Sequence, residues 1–139
     1  MAGEFNLEKL LAGMTPRLEE GVYVFASLPA ATAVPSGVYP LMTFIEAEGT
    51  TLVLEEGEAD RAGVKTTFRS RMITLDVHSS LEAVGFLSVI TTRLAAARIA
   101  VNPVSAFYHD HLFVPAERAE EAVEILEQLV VGKARHKGG

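Results

Sequence analysis

The sequence predicts an α/β (α+β) fold of two tandem units with antiparallel sheets, the first unit degenerate. Two observations on element order carry this. From Phe68 onward the chain reads strand, helix, strand, strand, helix, which is a ferredoxin-like βαββαβ unit short of its last strand. Before Phe68 it reads strand, proline-rich loop, hairpin, short helix, strand, the same order with its first long helix reduced to a loop. Composition agrees. With 139 residues, 49% hydrophobic and 22% charged, the chain is globular and long enough for one ordinary domain or two very small ones sharing a core.

Each element has a local reason. Asn6 suits the cap of a short helix, Leu7 to Ala12, with Leu7, Leu10 and Leu11 on one face and Gly13 at its C-terminal end. Val22 to Leu28 is rich in β-branched and aromatic residues and reads as a strand. Pro29, Pro35 and Pro40, with Ser36-Gly37, make Ala30 to Pro40 a loop, because a helix there would be broken repeatedly. Leu41 to Ala47 and Thr50 to Glu55 form a hairpin, its turn at Glu48-Gly49, where Gly49 can take a positive φ. Glu58 to Ala62 is a short helix closed by Gly63, and Phe68 to Val77 is a long alternating strand. Ser79 to Arg98 is the strongest helix. Ala83, Leu87, Ile90, Leu94 and Ala97 share a face, and Ser79 with Glu82 fits a capping box. Ile99 to Tyr108 is a strand, His109-Asp110 begins a turn, and Leu112 to Val114 is a short strand. Pro115 fits the first position of a last helix whose inner face is Ala119, Ala122, Ile125, Leu126 and Leu129, ended by Gly132. The reading divides the chain into units 1–66 and 67–131 and a flexible tail, 132–139. Neither unit is complete alone, so strands are shared between them.

Composition also excludes function classes. Zero cysteines rule out disulfides, thiolate metal sites and cysteine nucleophiles. Twelve Lys+Arg against 18 Asp+Glu give a net charge of −6. Lys133, Arg135 and Lys137 all lie in the tail, so the body is more acidic still and is repelled by phosphate backbones. Neither nucleic acid nor membrane is an expected partner. Ala83 to Thr92, the longest uncharged stretch of the periodic region, is about half a membrane span. Met1 to Phe5 lacks a basic-then-apolar signal pattern. The expectation is a cytoplasmic protein.

Four stretches carry a family resemblance: EGVYVFASLP (Glu20 to Pro29), EGTTLVLEE (Glu48 to Glu56), LDVHSSLEAVG (Leu75 to Gly85) and AFYHDHLFVP (Ala106 to Pro115). With the run from Leu75 to Leu126, they resemble the ACT domain. More closely, the chain is similar to a family of small bacterial proteins with two ACT-like units. The pairing is also similar to that in the animal cytosolic arginine sensor. The resemblance implies a regulatory module that binds a small ligand, usually an amino acid, and that joins side by side into a dimer or larger assembly. One departure stands out: Val84-Gly85 occupies the place of the Pro-Gly pair through which an ACT unit usually enters its first helix.

The strand-to-helix junction, Asp76 to Phe86, is the candidate ligand site. A helix start offers free backbone N–H groups and partial positive charge, which suits a carboxylate near Val84, Gly85 and Phe86. Gly85 permits close approach. Asp76 or Glu82 could receive an α-ammonium group, and His78, Ser79 and Ser80 the remaining hydrogen bonds. The plainer alternative is that Ser79 and Glu82 cap the helix, Gly85 relieves packing and Asp76 is solvated. His109 and His111, two apart on a strand, invite a metal reading, but no third ligand is evident, and a polar hairpin explains them as well. No metal or cofactor is expected. The chain has no Gly-rich phosphate loop, no GxSxG and no HExxH, so an enzyme is not expected either. The competing class is a ligand-free interaction or oligomerisation module.

Overall fold

The computed structural model describes residues 3, 4 and 6–138. Its elements are α1 (Leu7–Gly13), β1 (Thr15–Leu18), β2 (Tyr23–Pro29), β3 (Met42–Ile45), β4 (Gly49–Glu55), α2 (Glu56–Ala62), β5 (Thr66–Asp76), α3 (Phe86–Ala96), β6 (Asn102–Ser105), β7 (Asp110–Pro115) and α4 (Ala119–Gly138). A single 3-10 turn, Ala116–Arg118, precedes α4. The fold is α+β with antiparallel pairing, as the element order predicts. Two compact units emerge, Gly21–Ser70 and the remainder: the chain through Glu20 joined with Arg71 onward. This differs from a division at 66/67, because the first twenty residues go with the C-terminal half.

In the unit Gly21–Ser70 the strand order is β3-β4-β2-β5. β2 and β4 pair from Tyr23↔Glu55 to Pro29↔Gly49, and β5 enters through Ser70. Alternation turns Val24, Ala26 and Leu28 inward against Leu52, Leu54 and Ala59. The proline-rich loop covers this core with Val38 and is tied down where the Tyr39 N–H donates to the Glu58 carboxylate. α2 ends at Gly63, whose φ of 69° makes it a left-handed cap. The hairpin differs from expectation. Glu46 and Gly49 exchange backbone hydrogen bonds, so the turn is Ala47-Glu48 and Gly49 opens β4. Gly49 is not at positive φ. Its reason is space, since a Cβ there would lie 2.4 Å from the Leu28 carbonyl oxygen.

The second unit contains the strand the sequence lacked. β1 pairs antiparallel with the far half of β5, Thr15↔Asp76 through Leu18↔Ile73, giving the order β1-β5-β7-β6. Strand sharing therefore takes a definite form: β5 serves one unit to Ser70 and the other from Arg71. TPRL carries no strand signature, and Pro16 cannot donate to a ladder, which suits an edge strand. α1, α3 and α4 build the core with Leu10, Leu11, Phe86, Ile90, Leu94, Ala122 and Leu126 against Ile73, Leu75, Leu112 and Val114.

Four more boundaries differ. Gly13 lies within α1, and Met14 is its C-terminal cap, in extended conformation. β6 is confined to Asn102–Ser105, and Ala106 to His109 form the hairpin tip, so Asp110 belongs to β7 rather than to the turn. Pro115 ends β7 ahead of the 3-10 turn. α4 passes through Gly132 to Gly138, because glycine weakens a helix interior by about 1 kcal/mol without breaking it. Of the predicted flexible tail, Gly139 lies outside the described residues. Among the described residues no helix is long and apolar enough to cross a membrane.

Candidate functional site

The largest departure from the sequence reading lies at the candidate site. α3 begins at Phe86, seven residues after Ser79, and ends at Ala96 rather than Arg98. The reason is a competing set of bonds. The Glu4 N–H donates to the His78 carbonyl at 2.7 Å, and the Ser80 N–H donates to the Glu4 carbonyl at 2.7 Å. That parallel bridge holds residues 78–80 extended. The Ser79 hydroxyl donates to Asp110 Oδ2 at 3.0 Å, and the N-cap position falls at Gly85 instead. Ser80 Oγ accepts from the Glu82 N–H at 3.1 Å, and the Ala83 N–H donates to the Ser80 carbonyl, making a local turn. Gly85 then sits at the helix start with φ 90°, a conformation that favours glycine. No capping box forms.

A pocket of about 130 Å³ opens at this junction, lined by Ser79–Leu81, Ala83, Gly85–Ser88, Ser105 and Asp110. It offers about ten times the room one water needs. The N–H groups of Phe86, Leu87 and Ser88 have no partner within the helix, and among the described residues no side chain caps them; the first helical bond comes from Val89 to the Gly85 carbonyl. One wall of the pocket is thus an uncapped helix N-terminus. Another is Asp110, only 7% exposed, whose Oδ1 accepts from the Ser105 hydroxyl at 2.6 Å and Oδ2 from Ser79.

Of the residues predicted for the site, Ser79, Ser80, Gly85 and Phe86 line the pocket. His78, Glu82 and Val84 do not. The His78 ring packs at 5.2 Å from that of Tyr108, and its buried Nε2 finds no partner among the described residues. Glu82 is exposed, and Val84 is 83% exposed. Asp76 is engaged elsewhere: it pairs with Arg17 at 2.7 Å and lies 3.3 Å from His109 Nε2. Leu81, Ala83, Leu87, Ser88, Ser105 and Asp110 are the lining residues that sequence reasoning did not name. Asp110 stands between two histidines at the start of a strand and reads locally as a turn residue, so no local signal marks it as a buried carboxylate.

The histidines do face one side. Their rings are 6.3 Å apart, and His111 Nδ1 lies 3.0 Å from the Thr74 hydroxyl. Burial lowers the His111 pKa below its ordinary value of 6.5, and the neighbouring His109 lowers it further. Among the described residues no three His, Cys, Asp or Glu side chains are grouped to hold a metal ion.

Comparison with known proteins fits this architecture. The ACT domain family matches residues 2–71 and, separately, residues 67–128. The chain belongs to the ACT domain family. It carries two tandem ACT domains, and the matched stretches overlap on β5, the strand both units use. A protein of unknown function from Vibrio cholerae, described as a possible transport protein, is 41% identical over 89% of this chain and 95% of its own, with TM-score 0.81. A protein from Agrobacterium tumefaciens is 18% identical over 84% and 89%, with TM-score 0.71. The ligand-free regulatory subunit of aspartate kinase from Thermus thermophilus is 12% identical over 82% and 95%, with TM-score 0.62. The last two likenesses are of fold. No curated protein matches the sequence. ACT domains are typically regulatory modules that bind small molecules.

Proposed function

We propose that this tandem ACT protein is a non-catalytic, cytoplasmic regulatory module whose second unit binds an amino acid at the pocket between β5 and α3. The observation that carries the reading is the uncapped N-terminus of α3 opening into that pocket. Three N–H groups and the positive end of an 11-residue helix meet a ligand-sized space there. A carboxylate supplies what those donors lack. The test is a thermal scan of the full chain with each of the twenty amino acids at millimolar concentration. A ligand at 100 times its dissociation constant contributes about 2.7 kcal/mol. Each kcal/mol moves Tm by about 2–8 °C in a domain of this size. At least one amino acid should raise Tm by several degrees, and its α-amide should not. A flat response, with calorimetry also silent, removes the reading.

One observation favours the second reading, an interaction or oligomerisation module. The edge strand β3 exposes Phe44 (63%) and Ile45 (81%), and Tyr39 ahead of it is 82% exposed. An apolar edge strand invites pairing with another copy. Self-association through β3 is compatible with ligand binding. Sedimentation of Ile45→Lys against the natural chain tests it, a homo-oligomer that survives the charge counting against this edge.

A further inference from the structure

Building on the amino-acid reading above, we propose that Asp110 is the ammonium-recognising residue of the pocket, so that the site selects α-amino acids over acids of the same shape that lack the amine. Neither carboxylate that the sequence offered for this role is available. Asp76 is neutralised by Arg17 and lies outside the pocket lining, and Glu82 points its charge into solvent.

Asp110 has the required properties. It lines the pocket and is more than nine-tenths buried. Among the described residues its hydrogen-bond partners are two hydroxyls, Ser79 and Ser105, and no Lys, Arg or His forms an ion pair with it. A buried carboxylate is costly unless a cation compensates it. Two neutral donors satisfy part of its acceptor capacity and none of its charge. A carboxylate accepts about four hydrogen bonds, so room remains for an ammonium. The two serines fix it, one from the segment after β5 and one from the end of β6, so its position is set before any ligand arrives.

The pocket therefore has two poles: backbone N–H groups at α3 and a fixed carboxylate at β7. A zwitterion matches both. A 2-hydroxy acid matches the first and leaves Asp110 without a cation. A structural role for Asp110, as a clamp joining Ser79 to Ser105, predicts no such selectivity.

The experiment uses the full chain and calorimetry with matched pairs, each amino acid against the 2-hydroxy acid of the same side chain. The natural protein should bind at least one amino acid and bind its hydroxy counterpart at least tenfold more weakly. Asp110→Asn removes the charge and stays within reach of both serines, one hydroxyl still donating to the amide oxygen and the other turning to accept from the amide N–H. It should lose at least tenfold in affinity for the amino acid while the hydroxy acid is unaffected, and its ligand-free Tm should equal or exceed that of the natural chain. Equal affinity for the two members of a pair in the natural protein overturns the assignment to Asp110 while leaving carboxylate binding at α3 standing. Natural affinity and selectivity in Asp110→Asn do the same. Silence toward both series removes the amino-acid reading and this assignment with it. The paired comparison needs no variant, so a poorly folding Asp110→Asn does not protect the proposal.

Discussion

Replacing Gly85 separates the backbone's demands at the pocket from the ligand's. Gly85 has φ 90°, where an L residue costs about 1–2 kcal/mol. A Cβ at this position would meet only Leu7 Cδ2, at 3.6 Å, an ordinary contact, so the cost is strain and not collision. Restricting the unfolded chain returns about 0.4–1 kcal/mol. Gly85→Ala should therefore destabilise by about 1 kcal/mol, a fall in Tm of about 2–8 °C. Gly85→Asp bears the same strain and adds a negative charge beside the first turn of α3, which contributes about 0.3–1 kcal/mol. Asp should then be as stable as Ala or slightly more so. Binding should follow the opposite order. Two carboxylates 4 Å apart repel by about 4 kcal/mol at an effective dielectric of 20. Even half of that is more than a tenfold loss of affinity. Thermal scans give the stabilities, and calorimetry with the amino acid that stabilises the natural chain gives the affinities. Gly85→Asp binding as well as Gly85→Ala would refute the placement of the ligand carboxylate at α3.

Three further outcomes are expected. Asp76→Asn should leave amino-acid binding unchanged, because Asp76 serves the Arg17–His109 network, and its small effect on Tm should shrink further in high salt. His111 has a lowered pKa in the folded chain, so the unfolded chain binds more protons as the pH falls. Its contribution to stability is full above about pH 6.5 and is lost as the pH drops through the folded value. Tm measured between pH 7.5 and 5 should decline, and His111→Gln should flatten that decline. At Gly49, both Ala and Asn should destabilise by about 1–3 kcal/mol in denaturant titrations, because either Cβ meets the Leu28 carbonyl. A positive-φ turn would instead tolerate Asn.

Much of the fold was legible because it rests on patterns local in sequence. The 3.6-residue recurrence of Ile90 and Leu94, the alternation in β2 and the left-handed cap at Gly63 each follow from a few neighbouring side chains. β1 was not legible. Thr15–Leu18 has no strand propensity, and its pairing is decided by residues about 60 positions away, Ile73 to Asp76. The start of α3 was misread for the same kind of reason. Ser79, three residues before Glu82, satisfies every local rule for a cap, but its hydroxyl is held by Asp110, 31 residues on. Asp110 itself reads as a turn residue until Ser105↔Asp110 pairing puts it on a strand.

Those misreadings fall together, and this is the physical ground for treating the pocket as a site. A helix of 11 residues starts without a side-chain cap, which forgoes about 1 kcal/mol that a serine seven residues earlier could have supplied. Its first residue follows a glycine in a conformation most side chains avoid. A carboxylate is buried beside it with hydroxyl partners and, among the described residues, no cation. Each departure lowers the stability of the ligand-free chain, and each could be removed by a single substitution. A sequence under pressure only to fold has no reason to retain all three within one pocket, whereas local inconsistencies gather where function requires them. A bound zwitterion would resolve two of them at once, filling the N–H groups with its carboxylate and the charge of Asp110 with its ammonium. The glycine is what lets the backbone between those two poles stay clear of the ligand.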